Sequence, residues 1–357
     1  MKIVTVLGAR PQFVKAATVS RELKKRGLEE VIVHTGQHFD HAMSQVFFDE
    51  MDIPHPNYNL EISGLQHGAM TGRMLEKVEE VLLQEKPHYV MVYGDTNSTL
   101  AGALAASKLH IPLAHVEAGL RSFDMKMPEE VNRILTDRIS NVLFCPTTTA
   151  IDNLHQEGFR HFHTQIQLVG DVMLDAVLHY KEKSKRFSKI LQTEKLLGKK
   201  FVLATLHRAE NTNDPHRLKS ICEALNEIHK KATVVLPLHP RTKSYLQANN
   251  ISLNVHVIEP VGYFDMLMLL HNCDLVLTDS GGLQKEAYFF EKYCITLRDQ
   301  TEWVELVHEG ANSLAGADRN TILRDAELAK HKQVTFNPDL YGQGDAAKKI
   351  VAALKKS

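Results

Sequence analysis

The sequence predicts an α/β fold with two domains, each built on a parallel β-sheet that helices cover on both faces. Short apolar runs alternate along the chain with segments of helical periodicity such as Met70–Leu83. With 357 residues, the chain is long enough for two separate cores. In each half, a turn of small residues links an apolar run to a helix, which is typical of such sheets. The runs that we predict as buried strands are Ile3–Leu7, Val31–His34, Tyr89–Tyr93, Pro112–His115, Val142–Phe144, Gln165–Val169, Phe201–Leu206, Thr233–Pro237, Val255–Ile258, Leu275–Thr278 and Tyr293–Leu297.

The boundary between the domains falls near residue 170. We assign residues 1–169 to an N-terminal Rossmann-like domain and residues 170–341 to a second one. We expect residues 342–357 to form a C-terminal helix that packs back on the first domain. The polar, lysine-rich stretch from 180 to 200 is the alternative position for the boundary.

The composition favours a cytoplasmic protein that binds neither nucleic acid nor membranes. The net charge is −1 at pH 7, so no global excess of positive charge attracts a polyanion. No run of 18 apolar residues occurs, and the apolar start is too short for a signal peptide. The four cysteines are scattered, and we expect buried, reduced thiols.

The first turn, Val4–Lys15, has the features of a phosphate site. Gly8 allows a sharp exit from the strand, and Pro11 suits the first turn of a helix. Arg10 stands at the mouth of the turn, where its guanidinium can bind a phosphate. A helix that begins here points unpaired backbone N–H groups and a partial positive charge at a ligand. An ordinary strand–helix connection fits equally well, and the turn matches neither the dinucleotide nor the Walker pattern.

The second turn, Leu277–Ala287, is the stronger signal. Ser280 supplies a hydroxyl, and Gly281 and Gly282 let a phosphate approach the backbone closely. Glu286 follows in the helix, where its carboxylate can accept hydrogen bonds from both hydroxyls of a ribose. A plain glycine-rich turn is the alternative. One such turn in each half suits a diphosphate ligand in a cleft between two domains, which points to an enzyme that acts on nucleotide sugars.

Three carboxylates lie after strands of the first half. Asp95 and Glu117 come directly after apolar strands, so we expect both at the ligand-binding edge of the sheet. Glu129 forms an i,i+4 pair with Arg133, and a surface salt bridge is its alternative role. For Glu117 the alternative is an N-cap or a structural acid. Carboxylates beside a phosphate site are costly unless they transfer protons, because burial and like charges raise their pKa values toward the working range.

Histidines occur at the ends of two strands of the second half. His207 precedes Arg208, and the pair is a candidate phosphate contact. His239 and Arg241 repeat the arrangement one strand later. The segment His34–His41 contains three histidines, but their spacing matches no zinc motif, and we predict no metal site.

Together these runs resemble the non-hydrolysing UDP-N-acetylglucosamine 2-epimerase family. The similarity spans nearly the whole chain, and the motifs occur in the family's order. They are G-A-R-P-Q-F-V-K, G-D-T-N-S-T, H-V-E-A-G-L-R, P-E-E-V-N-R, H-R, T-D-S-G-G-L-Q-K-E-A and Y-G-Q-G. The resemblance implies the GT-B fold, in which two Rossmann-like domains have a cleft between them, and a homodimer.

The resemblance also implies a mechanism without cofactor or metal. The enzyme removes the proton at C2 of the sugar while UDP leaves from C1, which gives a bound 2-acetamidoglycal. UDP then adds back, and a proton reaches C2 from the opposite face. By motif, the catalytic residues are Asp95, Glu117, Glu129, Arg133, Lys15 and His207, and which carboxylate removes the C2 proton stays open. The residues that bind UDP are Arg10, Ser280, Gly281, Gly282, Glu286 and Phe264, with the uracil near Gly262–Phe264.

Departures from the family's usual motifs indicate a specialised substrate. Enzymes that act on UDP-N-acetylglucosamine usually read G-T-R-P-E and R-D-T-T-E-R-P-E where this sequence reads G-A-R-P-Q and R-D-Q-T-E-W-V-E. These variants resemble the branch that converts UDP-2,3-diacetamido-2,3-dideoxyglucuronate to the mannuronate, a precursor of bacterial surface polysaccharides. UDP-N-acetylglucosamine is the alternative substrate. Arg241 and Lys126 are candidate contacts for the C6 carboxylate of a uronate.

Two other functions are compatible with the fold. A GT-B glycosyltransferase would need an acceptor groove and would not need three carboxylates around C2. A UDP-sugar sensor would bind its ligand without exchanging the C2 proton.

Overall fold

The computed structural model describes residues 1–37 and 54–355, and for Arg10 the backbone alone. These residues form two compact units. The first contains Met1–Leu178 and Pro338–Ser357, and the second contains His179–Asn337. Each unit is a parallel sheet with helices between its strands, which confirms the predicted α/β class with two Rossmann-like domains. None of the described helices is long and apolar enough to cross a membrane.

The first unit is a doubly wound sheet. Its strands are β1 (Lys2–Leu7), β2 (Glu29–His34), β3 (Tyr58–Asn59), β4 (Tyr89–Tyr93), β5 (Leu113–Val116), β6 (Val142–Cys145) and β7 (Gln165–Leu168). Its helices are α1 (Arg10–Lys25), α2 (His67–Glu85), α3 (Asn97–Lys108), α4 (Pro128–Ile139), α5 (Thr148–Gln156) and the start of α6 (Val172–Phe187), with α15 (Ala346–Leu354) at the C-terminal end. Within the described residues the strand order is β3-β2-β1-β4-β5-β6-β7, and all pairs are parallel.

The second unit repeats this architecture. Its strands are β8 (Phe201–Thr205), β9 (Thr233–Pro237), β10 (His256–Ile258), β11 (Leu275–Thr278), β12 (Cys294–Thr296) and β13 (Asn312–Leu314). After α6 its helices are α7 (Ile190–Thr193), α8 (Ala209–Thr212), α9 (Pro215–His229), α10 (Pro240–Ala248), α11 (Tyr263–Asn272), α12 (Gly281–Phe289), α13 (Val304–His308) and α14 (Arg319–Ala329). The parallel strands follow the order β10-β9-β8-β11-β12-β13.

The observed strands follow from the apolar runs of the sequence. Each of the eleven predicted runs overlaps a strand, because a strand covered by helices on both faces has to be apolar throughout. Two strands were not predicted. The first, β3, has only two residues. The second, β13, begins with Asn312-Ser313, whose polar side chains interrupt the apolar run that identifies a buried strand. The four cysteines are buried and free, as expected.

Each sheet has one point where the strand order reverses. In the first unit it lies between β1 and β4, and in the second between β8 and β11. Because crossover connections are right-handed, the helices that follow the two strands cover opposite faces of the sheet there. The loops at the carboxyl ends of these strands therefore diverge and leave a crevice, which is where such sheets bind ligands.

The chain returns to the first unit through a contact between two backbones. Gly170 and Gly342 have φ angles of +89° and +86°. A Cβ on Gly170 would lie 2.8 Å from the carbonyl oxygen of Tyr341, and one on Gly342 would lie 3.1 Å from the Cα of Gly170. The amide of Asp171 donates to the same Tyr341 oxygen at 2.9 Å. Glycine is required at both positions because of the positive φ and because no side chain fits between the segments.

Helix α15 is held at its start by a carboxylate of α6. The two oxygens of Asp175 accept the backbone N–H groups of Ala346 and Ala347 at 3.1 and 2.8 Å. Burial raises the pKa of Asp175 to about 6, and its neighbours Asp171 and Asp345 act in the same direction, while the two amides oppose it.

We predict that the attachment of α15 weakens as Asp175 ionises. The pKa of Asp175 in the folded state lies above its ordinary value. Its contribution to the free energy of opening α15 is therefore full below about pH 4 and falls by at most about 3 kcal/mol as the pH rises through about 6. Hydrogen exchange of the α15 amides, corrected for the intrinsic pH dependence, should give an opening free energy that falls between about pH 4 and pH 7. The variant Asp175→Asn should show no such fall. The exposed control Asp152→Asn should behave like the wild type, and a pH-independent wild type would contradict the prediction.

Candidate active site

At the reversal point of the first sheet, one glutamine ties two loops together. The Oε1 atom of Gln12 accepts the backbone N–H groups of Gly8 and Ala9, both at 2.9 Å, and its Nε2 atom donates to the carbonyl oxygen of Tyr93 at 2.7 Å. Gln12 is buried and thus joins the end of β1 to the end of β4. The expectation that this turn offers unpaired N–H groups is wrong for Gly8 and Ala9. These two amides are therefore not left for a ligand at this turn.

Two of the predicted acid/base residues lie at this edge with a lysine beside them. The ammonium of Lys15, on α1, forms an ion pair with the buried carboxylate of Glu117. A Cβ on Gly94, the residue before Asp95, would lie 3.3 Å from Oε2 of Glu117 and 3.4 Å from Nζ of Lys15. Gly94 also has a φ of +62°, so glycine is required for both reasons. The structure therefore places Lys15 and Glu117 against the loop that carries Asp95.

Asp95 has its own cation. The guanidinium of Arg133 contacts Oδ2 of Asp95 at 2.9 Å through NH2 and Oε2 of Glu130 at 3.3 Å through NH1. The Nε atom of Arg133 donates to the carbonyl oxygen of Glu129, one turn earlier in α4. Asn132 donates to the carbonyl oxygen of Asp95 at 2.9 Å. One turn of α4 thus holds both the carboxylate and the backbone of Asp95.

The surroundings of Asp95 favour its protonated form. Burial of the carboxyl group raises its pKa, although 32% of the side chain remains exposed. The charges of Arg133 and Lys15 oppose this rise, and the nearby carboxylates Glu117 and Glu129 add to it. A raised pKa, a cation in hydrogen-bond contact and partial exposure are the properties of a group that can exchange a proton with a ligand.

Glu130, which neighbours the predicted Glu129, is a structural acid. It is fully buried, and its carboxylate accepts hydrogen bonds from the backbone of Ser122 and Phe123 and from the Ser122 hydroxyl, all at 2.9 Å. Glu129 itself is half-buried at the start of α4.

The turn that opens α12 leaves one side of its backbone open. Ser280 is the N-cap, with its hydroxyl accepting from the amide of Leu283. A Cβ on Gly281 would collide with the carboxylate of Glu302, whereas one on Gly282 would meet no atom within 4 Å. Gly282 is thus exposed, and a ligand can reach its backbone directly. Glu286 lies buried one turn further into the helix.

At the reversal point of the second sheet, a buried acid joins the loop after β8 to the loop after β11. Asp279 follows β11 and accepts the backbone N–H groups of His207 and Arg208, both at 2.9 Å. Its Oδ1 lies 3.2 Å from Nδ1 of His207, whose side chain is 48% exposed. Burial opposes ionisation of Asp279, but the hydrogen bonds and charge of His207 outweigh it and hold the pKa of Asp279 below its usual range. An ionised Asp279 fixes the proton of His207 on Nδ1, so Nε2 is the nitrogen that can meet a ligand.

The remaining predicted residues are placed differently or lie outside the description. The ring of Phe264 is buried against Tyr180 and stacks on Phe187 at 6.3 Å, so it is part of an aromatic cluster. The side chain of Arg10 lies outside the described residues, as do His38 and His41 of the segment with three histidines. Among residues 1–37 and 54–355, no three His, Cys, Asp or Glu side chains come together as metal ligands.

Sequence reasoning missed Gln12, Glu130 and Asp279. Gln12 and Asp279 bind the backbone of loops that are distant in sequence, so those contacts are visible only once the strand order is known, whereas Glu130 binds a loop seven to eight residues earlier. The one available signal was their position, since each lies within four residues of a predicted site residue.

Comparison with known proteins identifies relatives of the whole chain. The sequence profile of UDP-N-acetylglucosamine 2-epimerase matches residues 21–355. A UDP-2,3-diacetamido-2,3-dideoxy-D-glucuronate 2-epimerase of Pseudomonas aeruginosa is 57% identical over 358 residues, and the alignment covers 100% of both chains. A UDP-N-acetylglucosamine 2-epimerase homolog of Methanococcus maripaludis is 51% identical over 362 residues, with 99% of each chain covered. The crystal structure of Methanocaldococcus jannaschii UDP-GlcNAc 2-epimerase in complex with UDP-GlcNAc and UDP matches with a TM-score of 0.94 and 42% identity, covering 100% of both chains.

We predict opposite effects of alanine at the two glycines of the α12 turn. Gly281→Ala should destabilise the second unit by about 1–3 kcal/mol, because the buried Glu302–Arg298 pair has to move. Gly282→Ala should be neutral or slightly stabilising, because the space is empty and alanine favours the helix. The single tryptophan, Trp303, lies buried beside Gly281, so its fluorescence in a urea titration reports this unit. Equal midpoints for the two variants would contradict the prediction.

Proposed function

The chain belongs to the UDP-N-acetylglucosamine 2-epimerase family, and we propose that it inverts C2 of UDP-2,3-diacetamido-2,3-dideoxyglucuronate to give the mannuronate. The catalytic part of the proposal rests on one observation, the two carboxylate–cation pairs, Asp95–Arg133 and Glu117–Lys15, at the ligand-binding edge of the first sheet. The choice of substrate is supported by the full-length identity with the Pseudomonas aeruginosa enzyme of that name.

In the proposed reaction, a carboxylate removes the C2 proton while the C1–O bond to UDP breaks. The electron pair of the C2–H bond forms the C1=C2 double bond of the glycal, and UDP leaves with the pair of the C1–O bond. UDP then adds back to C1, and a second acid delivers a proton to the other face of C2. Because the reaction is reversible, each group serves as base in one direction and as acid in the other. Asp95 and Glu117 are our candidates, with Glu129 as the third.

The second unit would stabilise the leaving group. The C2 proton is a very weak acid, so charge that develops on the diphosphate has to be stabilised strongly for elimination to occur. The open backbone at Gly282 and the Ser280 hydroxyl supply donors at the reversal point of this sheet, and Nε2 of His207 would donate as well when both ring nitrogens carry a proton. We propose that Arg10 also contacts the diphosphate and that Glu286 accepts hydrogen bonds from the ribose. The buried ring of Phe264 suggests that uracil meets the backbone around Gly262 rather than the ring face.

Several finer points belong to the same proposal. We propose that the enzyme works as a homodimer in the cytoplasm and supplies a precursor for surface polysaccharides. UDP-N-acetylglucosamine is the alternative substrate within the family. A glycosyltransferase is the more distant alternative, since GT-B folds also carry that activity.

We predict that the protein exchanges the C2 proton of only one of two substrates. Proton NMR in D2O, with UDP-2,3-diacetamidoglucuronate and UDP-N-acetylglucosamine in separate tubes, should show deuterium at C2 and a new manno anomeric signal with the uronate alone. Turnover of UDP-N-acetylglucosamine instead would assign the simpler activity, and no exchange in either tube would refute an epimerase for both substrates. Asp95→Asn and Glu117→Gln should each slow exchange about 10²–10⁴-fold, because each removes a proton-transfer group. The exposed control Asp152→Asn should exchange at the wild-type rate.

We also predict that Gly282→Ala weakens the binding of UDP without loss of stability. The added methyl group occupies the space through which the diphosphate would reach the backbone, and we expect at least about a tenfold higher Kd, or roughly 1.4 kcal/mol. Isothermal titration with UDP alone measures this. Gly72→Ala is the matched control, because Gly72 is exposed on α2 with no atom near its Cβ position. An unchanged Kd for Gly282→Ala would exclude this turn as the phosphate site.

A further inference from the structure

One buried histidine of the first unit faces two hydrogen-bond acceptors. His115, in β5, has no exposed surface. Its Nδ1 lies 2.7 Å from Oδ1 of Asp137, and its Nε2 lies 2.7 Å from the carbonyl oxygen of Gly94. A carbonyl oxygen can only accept a hydrogen bond, so Nε2 carries a proton.

The partner at Nδ1 is also an acceptor. Asp137 accepts from NH1 of Arg121 at 2.7 Å and from the amide of Gly119 at 3.1 Å. Burial opposes its ionisation, but the hydrogen bonds and charges of His115 and Arg121 outweigh burial and hold the pKa of Asp137 below its usual range. Since an ionised carboxylate has no proton to donate, Nδ1 of His115 carries one as well. Both ring nitrogens thus face acceptors, and Arg121, which also contacts Asp137, pairs with a second carboxylate on Glu157.

One bond of the ring ends on the loop that carries Asp95, and the other ends on Asp137 of α4, which also binds the loop that carries Glu117. Gly94 directly precedes Asp95. Asp137 binds the segment around Glu117 on both sides, at His115 and at Gly119. Glu117 has a φ of +72°, a conformation that costs a non-glycine residue on the order of 1 kcal/mol and persists only where neighbouring contacts enforce it.

We propose that His115 is a positioning residue whose two ring hydrogen bonds fix Asp95 through Gly94 and Glu117 through Asp137. The proposal rests on the proposed function, in which these two carboxylates exchange protons with C2. The ring does not touch the substrate. Its role is to hold two catalytic loops at one spacing, since a displacement of about 1 Å can cost about 10²-fold in rate.

The two hydrogen bonds of the ring can be tested on the wild-type protein, without any assay of activity. In ¹⁵N-labelled protein, both ring nitrogens of His115 should carry protons that exchange slowly with solvent, because each nitrogen is buried against an acceptor, with the signals assigned by their loss in His115→Gln. A ring with a proton on one nitrogen only would overturn the proposal.

Kinetics test the positioning role. His115→Gln can still donate to the Gly94 oxygen and should lose about tenfold in kcat, whereas His115→Ala should lose about 100-fold or more. The Kd for UDP should change less than about threefold in both, because the ring touches none of the proposed diphosphate contacts, and Ser280, Gly282 and His207 lie in the other unit. The exposed control His216→Gln should match the wild type.

A wild-type kcat in folded His115→Ala would refute the positioning role, as would a loss of UDP binding equal to the loss of kcat. If His115→Ala does not fold, His115→Gln and the ring protonation decide, and failure of the proposed function would appear separately as absent C2 exchange in the wild type.

Discussion

In each sheet, a buried side chain joins the two loops at the point where the strand order reverses. The loops after the two central strands diverge there, so their backbone groups lose the partners that a continuous sheet would supply. Gln12 joins the end of β1 to Tyr93 in the first unit, and Asp279 joins the end of β11 to the backbone of His207 in the second. The proposed groups Arg10 and Asp95 lie by the loops that Gln12 joins, and His207 and Ser280 lie by those that Asp279 joins.

Buried carboxylates also bind the backbone of the loops near the proposed acid/base residues. Glu130 binds the backbone of Ser122 and Phe123, and Asp137 binds Gly119 and His115. A hydrogen bond from a backbone amide to a buried carboxylate is charge-assisted and contributes about 1.5–3 kcal/mol. Buried acids of this kind make rigid loops from segments that have no regular structure of their own. The carboxylates that we propose as acid/base groups are consequently held in place before a substrate binds, which lowers the cost of reaching a reactive geometry.

The sequence predicted the fold well because its signals are local. Apolar runs identified eleven strands, and failures occurred where a strand was two residues long or began with Asn312-Ser313. The proximity of Lys15, Glu117, Asp95 and Arg133 was predictable to the extent that residues after parallel strands share one edge. Their pairing was not, because it depends on which helix turn faces which loop. Gln12 illustrates the limit: its sequence context predicts a phosphate turn, yet its side chain takes up the N–H groups of that turn.

The pairing of each carboxylate with its own cation has a consequence for the chemistry. Two carboxylates near one carbon repel each other when both are ionised, and burial makes this worse. Arg133 at Asp95 and Lys15 at Glu117 offset that repulsion locally, so neither carboxylate has to be protonated to relieve it. Burial still raises the pKa of Asp95 against the pull of both cations. A carboxyl group whose pKa is raised although two cations lie near it can take up a proton in one direction of the proposed reaction and release it in the other. Inversion of a carbon by proton exchange requires, on each of its two faces, a group that can both accept and donate a proton.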